Sequence, residues 1–224
     1  MSWNSNWEEV FKNKEWGRYP AEELVRFIAR NYFKYKNRDI IKVLDLGCGI
    51  GSNLWFLAKE GFSIYGIDGS KSAVEQCKKR LDKEIPKWSG DLKVGDIVKL
   101  PYENETFDCV IDNCTVTSNS FENSLKIYSE AYRVLQKGGK LYSRTFATGT
   151  HTAWGSKTSK EKDQMSDLVS IKVQNDIDKA HRHTSYEEIY ILMKSFSNFE
   201  IEKLVRTFDN MQKEVIEWLI VCQK

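Results

Sequence analysis

The chain has 224 residues, 41% of them hydrophobic, enough to bury one full core and cramped for a second independent domain. Its 34 Lys and Arg against 32 Asp and Glu give a formal charge of +2, so nothing general drives it toward nucleic acid or an anionic membrane. Five cysteines, with no C-x-x-C pair, argue against a zinc ribbon or a disulfide framework and for reduced thiols in a cytoplasmic protein. The polar start does not read as a signal peptide, and no apolar run approaches the roughly 20 residues that a membrane span needs.

Trp3, Trp7, Phe11 and Trp16 make an aromatic amino-terminal segment, expected to pack against the sheet edge. Pro20 opens a helix where its missing N–H costs nothing, with Glu22 and Glu23 in the first turn and Leu24, Phe27, Ile28 and Tyr32 as its core stripe. The basic residues Arg26, Arg30, Lys34, Lys36 and Arg38 read as a solvated face. Val43, Leu44 and Leu46 form a buried strand that runs into Gly47, Gly49 and Gly51, and Leu54, Leu57 and Ala58 follow at helical spacing. Glycine in such a turn lets a ligand touch the main chain, and unpaired N–H groups are expected to point out of it. The dinucleotide fingerprint requires a third glycine at position 52, which is Ser52, and no Lys-Ser or Lys-Thr pair follows to make a P-loop.

Gly61 suits the left-handed end of that helix. The strand over 62–67 ends at Asp68, which a doubly wound sheet places beside the glycine turn, where a carboxylate can accept from two vicinal hydroxyls. Ser70 is the better cap for the next helix, whose core residues are Ala73, Val74, Cys77 and Leu81. Asp96 is open to reading as a turn residue. A buried strand over 107–111 ends at Asp112, Asn113 and Cys114, and a helix over about 121–135 is closed by Gly138 and Gly139. Residues 147–180 are polar and interrupted, the kind of long segment that is usually functional. Thr184 to Glu187, or Ser185 to Glu188, offers a capping box for a helix burying Ile189, Leu192, Met193 and Phe196, and two closing strands cover 201–208 and 218–222.

The D-x-G-x-G-x-G pattern of Asp45, Gly47, Gly49 and Gly51 resembles motif I of the class I S-adenosylmethionine-dependent methyltransferases. Residues 64–70, 94–97, 107–113 and 137–146 look like that family's second to fifth strands, in order. The resemblance implies an α/β, Rossmann-like, doubly wound seven-stranded sheet, mostly parallel with an antiparallel last strand and helices on both faces, in a single domain over 1–224. It implies S-adenosyl-L-methionine as cofactor, S-adenosyl-L-homocysteine as product and no metal. For the cofactor it points to Asp45, Gly47, Cys48, Gly49, Gly51 and Asn53 around the turn, and to Asp68, Gly69 and Ser70 at the ribose. Asp96 is expected to accept from the adenine amine, Ile97 to pack on the ring, and Asp112 and Asn113 to face the ligand edge. Trp16 and Tyr19 belong to an amino-terminal lid within 1–38.

The family has no universal catalytic residue, because the sulfonium methyl is already activated. His151, in the segment 147–184 over the acceptor, is the candidate base, whereas His181 and His183 read as surface or capping side chains. The expected acceptor is small and polar, a sugar or metabolite with an O or N nucleophile. A nucleic-acid base methyltransferase would place an Asn/Asp-Pro-Pro-aromatic motif where this chain has Asp112-Asn113-Cys114-Thr115. A protein methyltransferase and a non-catalytic cofactor-binding protein stand as alternatives, and monomer and homodimer are both open.

Overall fold

The computed structural model describes residues 3–14, 17–151, 160–163, 166–173 and 177–224, with the backbone alone between 160 and 180. Its centre is β1 (Lys42–Leu46), hydrogen-bonded in parallel to β2 (Ser63–Asp68) on one side and β4 (Phe107–Asn113) on the other. β1 and β4 are buried along almost their whole length, as strands covered on both faces must be. β3 (Ser89–Val94) lies outside β2, and β5 (Leu135–Phe146) lies beyond β4. β10 (Lys213–Gln223) runs antiparallel to both β5 and β9 (Ser197–Phe208), so the order is β3-β2-β1-β4-β5-β10-β9. This is the doubly wound sheet that the sequence implies. Its order reverses between β1 and β4, and the crevice past their carboxyl ends is where such sheets bind ligands.

Apolar side chains fill both sides of the sheet. Phe27 and Ile28 of α2 (Glu22–Tyr32) pack with Leu54 and Leu57 of α3 (Ser52–Lys59) and Cys77 of α4 (Lys71–Glu84) in one cluster. Ile127 and Tyr128 of α5 (Phe121–Val134) pack with Leu192 of α6 (Tyr186–Leu192) in the other. Ser185 and Glu188 close the capping box on α6: the Glu188 N–H donates to Ser185 Oγ at 3.3 Å, and the Ser185 N–H to Glu188 Oε2 at 2.8 Å. Among the described residues no helix is long and apolar enough to cross a membrane.

Several expectations shift. The aromatic amino-terminal segment contains a helix, α1 (Asn6–Asn13), and Pro20 precedes α2 rather than opening it. The third strand ends at Val94, which leaves Gly95, Asp96 and Ile97 beyond it; as an edge strand of largely exposed residues, it carries no apolar alternation to announce itself. Gly138 and Gly139 do not end a helix. They lie inside β5, where Leu135 pairs with Phe107 and Lys140 with Cys109, an irregularity that the φ of +80° at Gly138 accommodates. The polar segment after β5 holds a three-stranded antiparallel sheet of β6 (Lys160–Asp163), β7 (Ser166–Val173) and β8 (Ile177–Arg182). The alternation of Val169, Ile171 and Val173 with polar residues is its signature in the sequence. The two ends of this excursion meet at a bridge between Ala147 and Thr184, fixed by Thr184 N–H to Phe146 O at 2.8 Å and Thr148 N–H to Thr184 O at 3.1 Å.

Candidate active site

Beyond β1 the chain bends through Gly47, Gly49 and Gly51, all left-handed with φ of 65°, 53° and 82°. Two of them are also forced by packing: a Cβ on Gly47 would fall 2.2 Å from Thr115 Cγ2, and one on Gly51 would fall 2.3 Å from Cys77 Sγ. Four N–H groups of the turn, expected to point out unpaired, are engaged within the protein. Gly47 and Cys48 both donate to Ile67 O, at 2.8 and 3.1 Å, Gly51 to Cys48 O at 2.9 Å, and Gly49 to Asp68 Oδ2 at 2.8 Å. With those four donors engaged, the acceptors around the bend become the more informative groups.

Asp68, 8% exposed, accepts from Gly49 N–H on one oxygen and from Ser70 N–H at 2.8 Å on the other. Burial raises its pKa against those two bonds, and each oxygen keeps a lone pair. Ser70 Oγ accepts from Ala73 N–H at 3.1 Å and caps α4, as its position in the sequence suggests. Asp45 is buried behind the turn and receives the Asn53 amide at 3.3 and 3.2 Å. Desolvation pushes its pKa up to about 8, with the Asn53 amide opposing. With its NH2 group committed to Asp45, Asn53 is left with a buried Oδ1 that has no protein partner, and the same holds for Asn113 Oδ1 at the end of β4.

Asn53, Asp68 and Asn113 line a cavity of about 470 Å³, a size typical of small-molecule sites. Gly47, Cys48, Gly49, Asn53, Asp68, Gly69 and Ile97 line one end. Asn113, Cys114, Ser118, Arg144, His181 and Arg206 line the other. Trp3, Trp7, Phe11 and Tyr19 form a roof, and Trp3 sits so close to Gly69 that a Cβ there would meet its ring at 2.3 Å. Glu8 of α1 holds the roof down by accepting from Ser70 Oγ at 2.5 Å, Ser72 Oγ at 2.6 Å and Ser72 N–H at 3.3 Å. The hydroxyls of Ser70 and Ser72 hold its pKa down to about 2. Gln76 Nε2 also donates to Phe11 O at 2.7 Å.

Of the residues anticipated for the cofactor, Asp45, Gly51, Ser70, Asp96 and Asp112 stand behind the cavity wall rather than on it. Asp112 is fully spent on its own scaffold. Its oxygens accept from Thr115 and Val116 N–H, both at 3.0 Å, from Tyr128 Oη at 2.9 Å and from Ser143 Oγ at 2.7 Å, which shapes the turn that presents Asn113. Asp96 accepts from Val98 N–H at 3.1 Å, a turn bond, while its neighbours Gly95 and Ile97 reach the cavity. Trp16 lies outside the described residues.

His151 lines the cavity with an exposed side chain, edge-on to Phe208 at 6.3 Å. His181 is not a surface residue. It is 9% exposed on β8, edge-on to Phe146 at 5.6 Å, with Nδ1 3.3 Å from Ser118 Oγ. Arg144, Arg206 and Glu217 also line the cavity, and nothing in the sequence singles them out from the other charges on β5, β9 and β10.

The methyltransferase domain family matches residues 37–212, most of the chain. The chain belongs to the class I methyltransferase family. The human arsenite methyltransferase is 35% identical over 111 residues, which cover 45% of this methyltransferase chain and 29% of that protein. The chain spans less than half the length of the curated relatives it matches. A crystal structure of an S-adenosylmethionine-dependent methyltransferase from Methanosarcina mazei superposes with a TM-score of 0.66 at 21% identity, covering 88% of this chain and 96% of that one. The Burkholderia thailandensis 1,6-didemethyltoxoflavin-N1-methyltransferase, solved with 1,6-didemethyltoxoflavin and S-adenosylhomocysteine bound, gives 0.65 at 13% identity over 91% and 77% of the two chains. At those identities the superpositions speak to the methyltransferase fold alone.

Proposed function

We propose that the protein transfers the methyl group of S-adenosylmethionine to an O or N nucleophile of a small polar acceptor, a sugar or metabolite. The observation that carries this reading is one continuous cavity, rich in hydrogen-bond acceptors at the glycine-turn end and in polar and basic groups at the other, under an aromatic roof. The acceptor-rich end fits a cofactor that presents ribose hydroxyls, an ammonium group and a sulfonium. Bound there, S-adenosylmethionine supplies an activated methyl group.

Asp68 takes the ribose hydroxyls, Ile97 packs on the adenine, and Asn53, held by Asp45, lines the methionyl end. Asn113, on the cavity wall at the end of β4, orients the acceptor's donor group. His181, backed by Ser118, receives the proton of an acceptor that attacks in protonated form, and His151 stands at the mouth. The roof keeps water from the reacting centre. In this reading residues 1–224 form a single domain, in which 1–38 carry the lid and 147–184 cover the acceptor. The protein works in the cytoplasm without a metal, a membrane or a nucleic acid.

Calorimetry with S-adenosylmethionine, S-adenosylhomocysteine and NAD tests the cofactor assignment: the first two bind and NAD does not. Preferential binding of NAD overturns it. Release of S-adenosylhomocysteine across an acceptor panel tests the reaction, and cofactor binding without turnover on any acceptor supports the non-catalytic alternative.

A further inference from the structure

Three strands bring three charged side chains together at the acceptor end: Arg144 from β5, Glu217 from β10 and Arg206 from β9. Glu217 is 2% exposed, and Arg144 satisfies it in fork fashion, Nε to Oε1 at 3.0 Å and Nη2 to Oε2 at 2.7 Å. That bidentate pair is the geometry in which a buried carboxylate is fully compensated. Glu23 stands 3.7 Å from Arg144 Nη1, so Arg144 is held between two carboxylates. Two cations and two carboxylates balance in this cluster, and Arg206 is the more open of the two cations. It spends a single contact, Nη2 to Glu217 Oε2 at 3.0 Å, while its side chain stays 55% exposed at the cavity.

We propose that the acceptor carries an anionic group, a carboxylate or a phosphate, which docks on the Arg206 guanidinium. A guanidinium with most of its five donors uncommitted, fixed at one edge by a buried carboxylate, is organised to receive a planar or tetrahedral oxyanion. The pleat fixes the geometry: Arg206 pairs across from Val215, on the strand that carries Glu217, so the anionic group sits at the sheet end of the cavity. The nucleophile then points back past Phe146 and His181 toward Asn113 and the glycine turn. This deepens the methyltransferase reading and rests on it.

The experiment starts with S-adenosylhomocysteine binding to the parent and to Arg206→Gln and Arg206→Lys. The saturated proteins are then titrated with inorganic phosphate and with acid and amide pairs of matched shape, such as lactate and lactamide or 4-hydroxybenzoate and 4-hydroxybenzamide. The parent should bind at least one acid, or phosphate, about tenfold more tightly than the neutral partner, the size expected of a charge-assisted fork. Arg206→Gln should abolish that preference, and Arg206→Lys should keep part of it. The acid and phosphate arms distinguish the two oxyanions. No anion preferred by the parent, or a preference that survives Arg206→Gln, overturns the proposal. Failure of the parent to bind S-adenosylhomocysteine sinks the methyltransferase reading instead, so the two failures are told apart.

Discussion

Glu8→Gln tests whether the aromatic roof is latched by one carboxylate. Glu8 accepts three hydrogen bonds from Ser70 and Ser72, and its pKa falls from the usual 4.5 to about 2. Taken at face value, that depression corresponds to about 3 kcal/mol of preference for the ionised form. The side chain keeps 22% of its surface in water, and solvent screening reduces the usable part to about 1 kcal/mol. Gln retains one acceptor oxygen and loses the charge, so the latch should weaken by about that amount, roughly fivefold in its opening equilibrium. Trp3 and Trp7 lie in the roof and report on it directly. Stopped-flow tryptophan fluorescence should show S-adenosylhomocysteine binding and leaving about fivefold faster in the variant. The sign with pH follows from a folded pKa below the usual value. The latch is at full strength above pH 4.5 and weakens as pH falls toward 2, so the parent's release rate should climb in that window while the Gln variant's stays flat. Equal rates at pH 7, or parallel pH profiles, refute the latch.

Asp45 has a folded pKa of about 8 against the usual 3.8, so its contribution to stability is greatest at low pH and declines as pH rises toward 8. Urea unfolding at pH 5 and 8.5 should show Asp45→Asn removing most of that decline. Asp68→Ala strands two buried N–H groups, those of Gly49 and Ser70, and should cost about 2 to 4 kcal/mol of stability as well as weakening cofactor binding. Asp68→Asn, with one acceptor kept, should be milder on both counts in melting and calorimetry. His181→Ala should lower kcat by about 10² or more with little change in S-adenosylhomocysteine affinity, and His151→Ala should do much less. The reverse ranking in a turnover assay would return the base to His151.

The cofactor end was the more legible half of the site because its determinants are local. A glycine turn after an apolar strand and an acid at the end of the next strand are read within a few residues of each other, and the sheet brings Gly49 N–H and Asp68 together at 2.8 Å. Asp45 and Asp112 were drawn to the ligand by their sequence neighbours, but burial assigns them to support: one aims Asn53 and the other shapes the turn behind Asn113. The acceptor end was not legible, because Arg144, Glu217 and Arg206 become neighbours only when β10 inserts between β5 and β9. His181 looked like a flanking residue of α6. Pairing with β7 instead puts it in a strand end whose neighbour, Arg182, accepts from Thr117 Oγ1 at 2.8 Å through its carbonyl, and so delivers the imidazole to Ser118.

The bridge between Ala147 and Thr184 makes the intervening segment a removable cassette. Both residues are fully buried, and Thr184 O also accepts from Trp218 Nε1 at 2.9 Å, so the stem belongs to the main sheet whatever is threaded between its ends. Loop closure grows by only about 0.6 kcal/mol for each doubling of length, so a longer segment is tolerated as long as the contacts of Arg182 with Thr117 and Glu188 are kept. His181 rides on the returning strand of the cassette, whereas Asp68 and Asn53 sit on the fixed frame. Grafting another segment onto the same stem would therefore replace His181 while Asn113, Arg206 and the cofactor end stay on the frame.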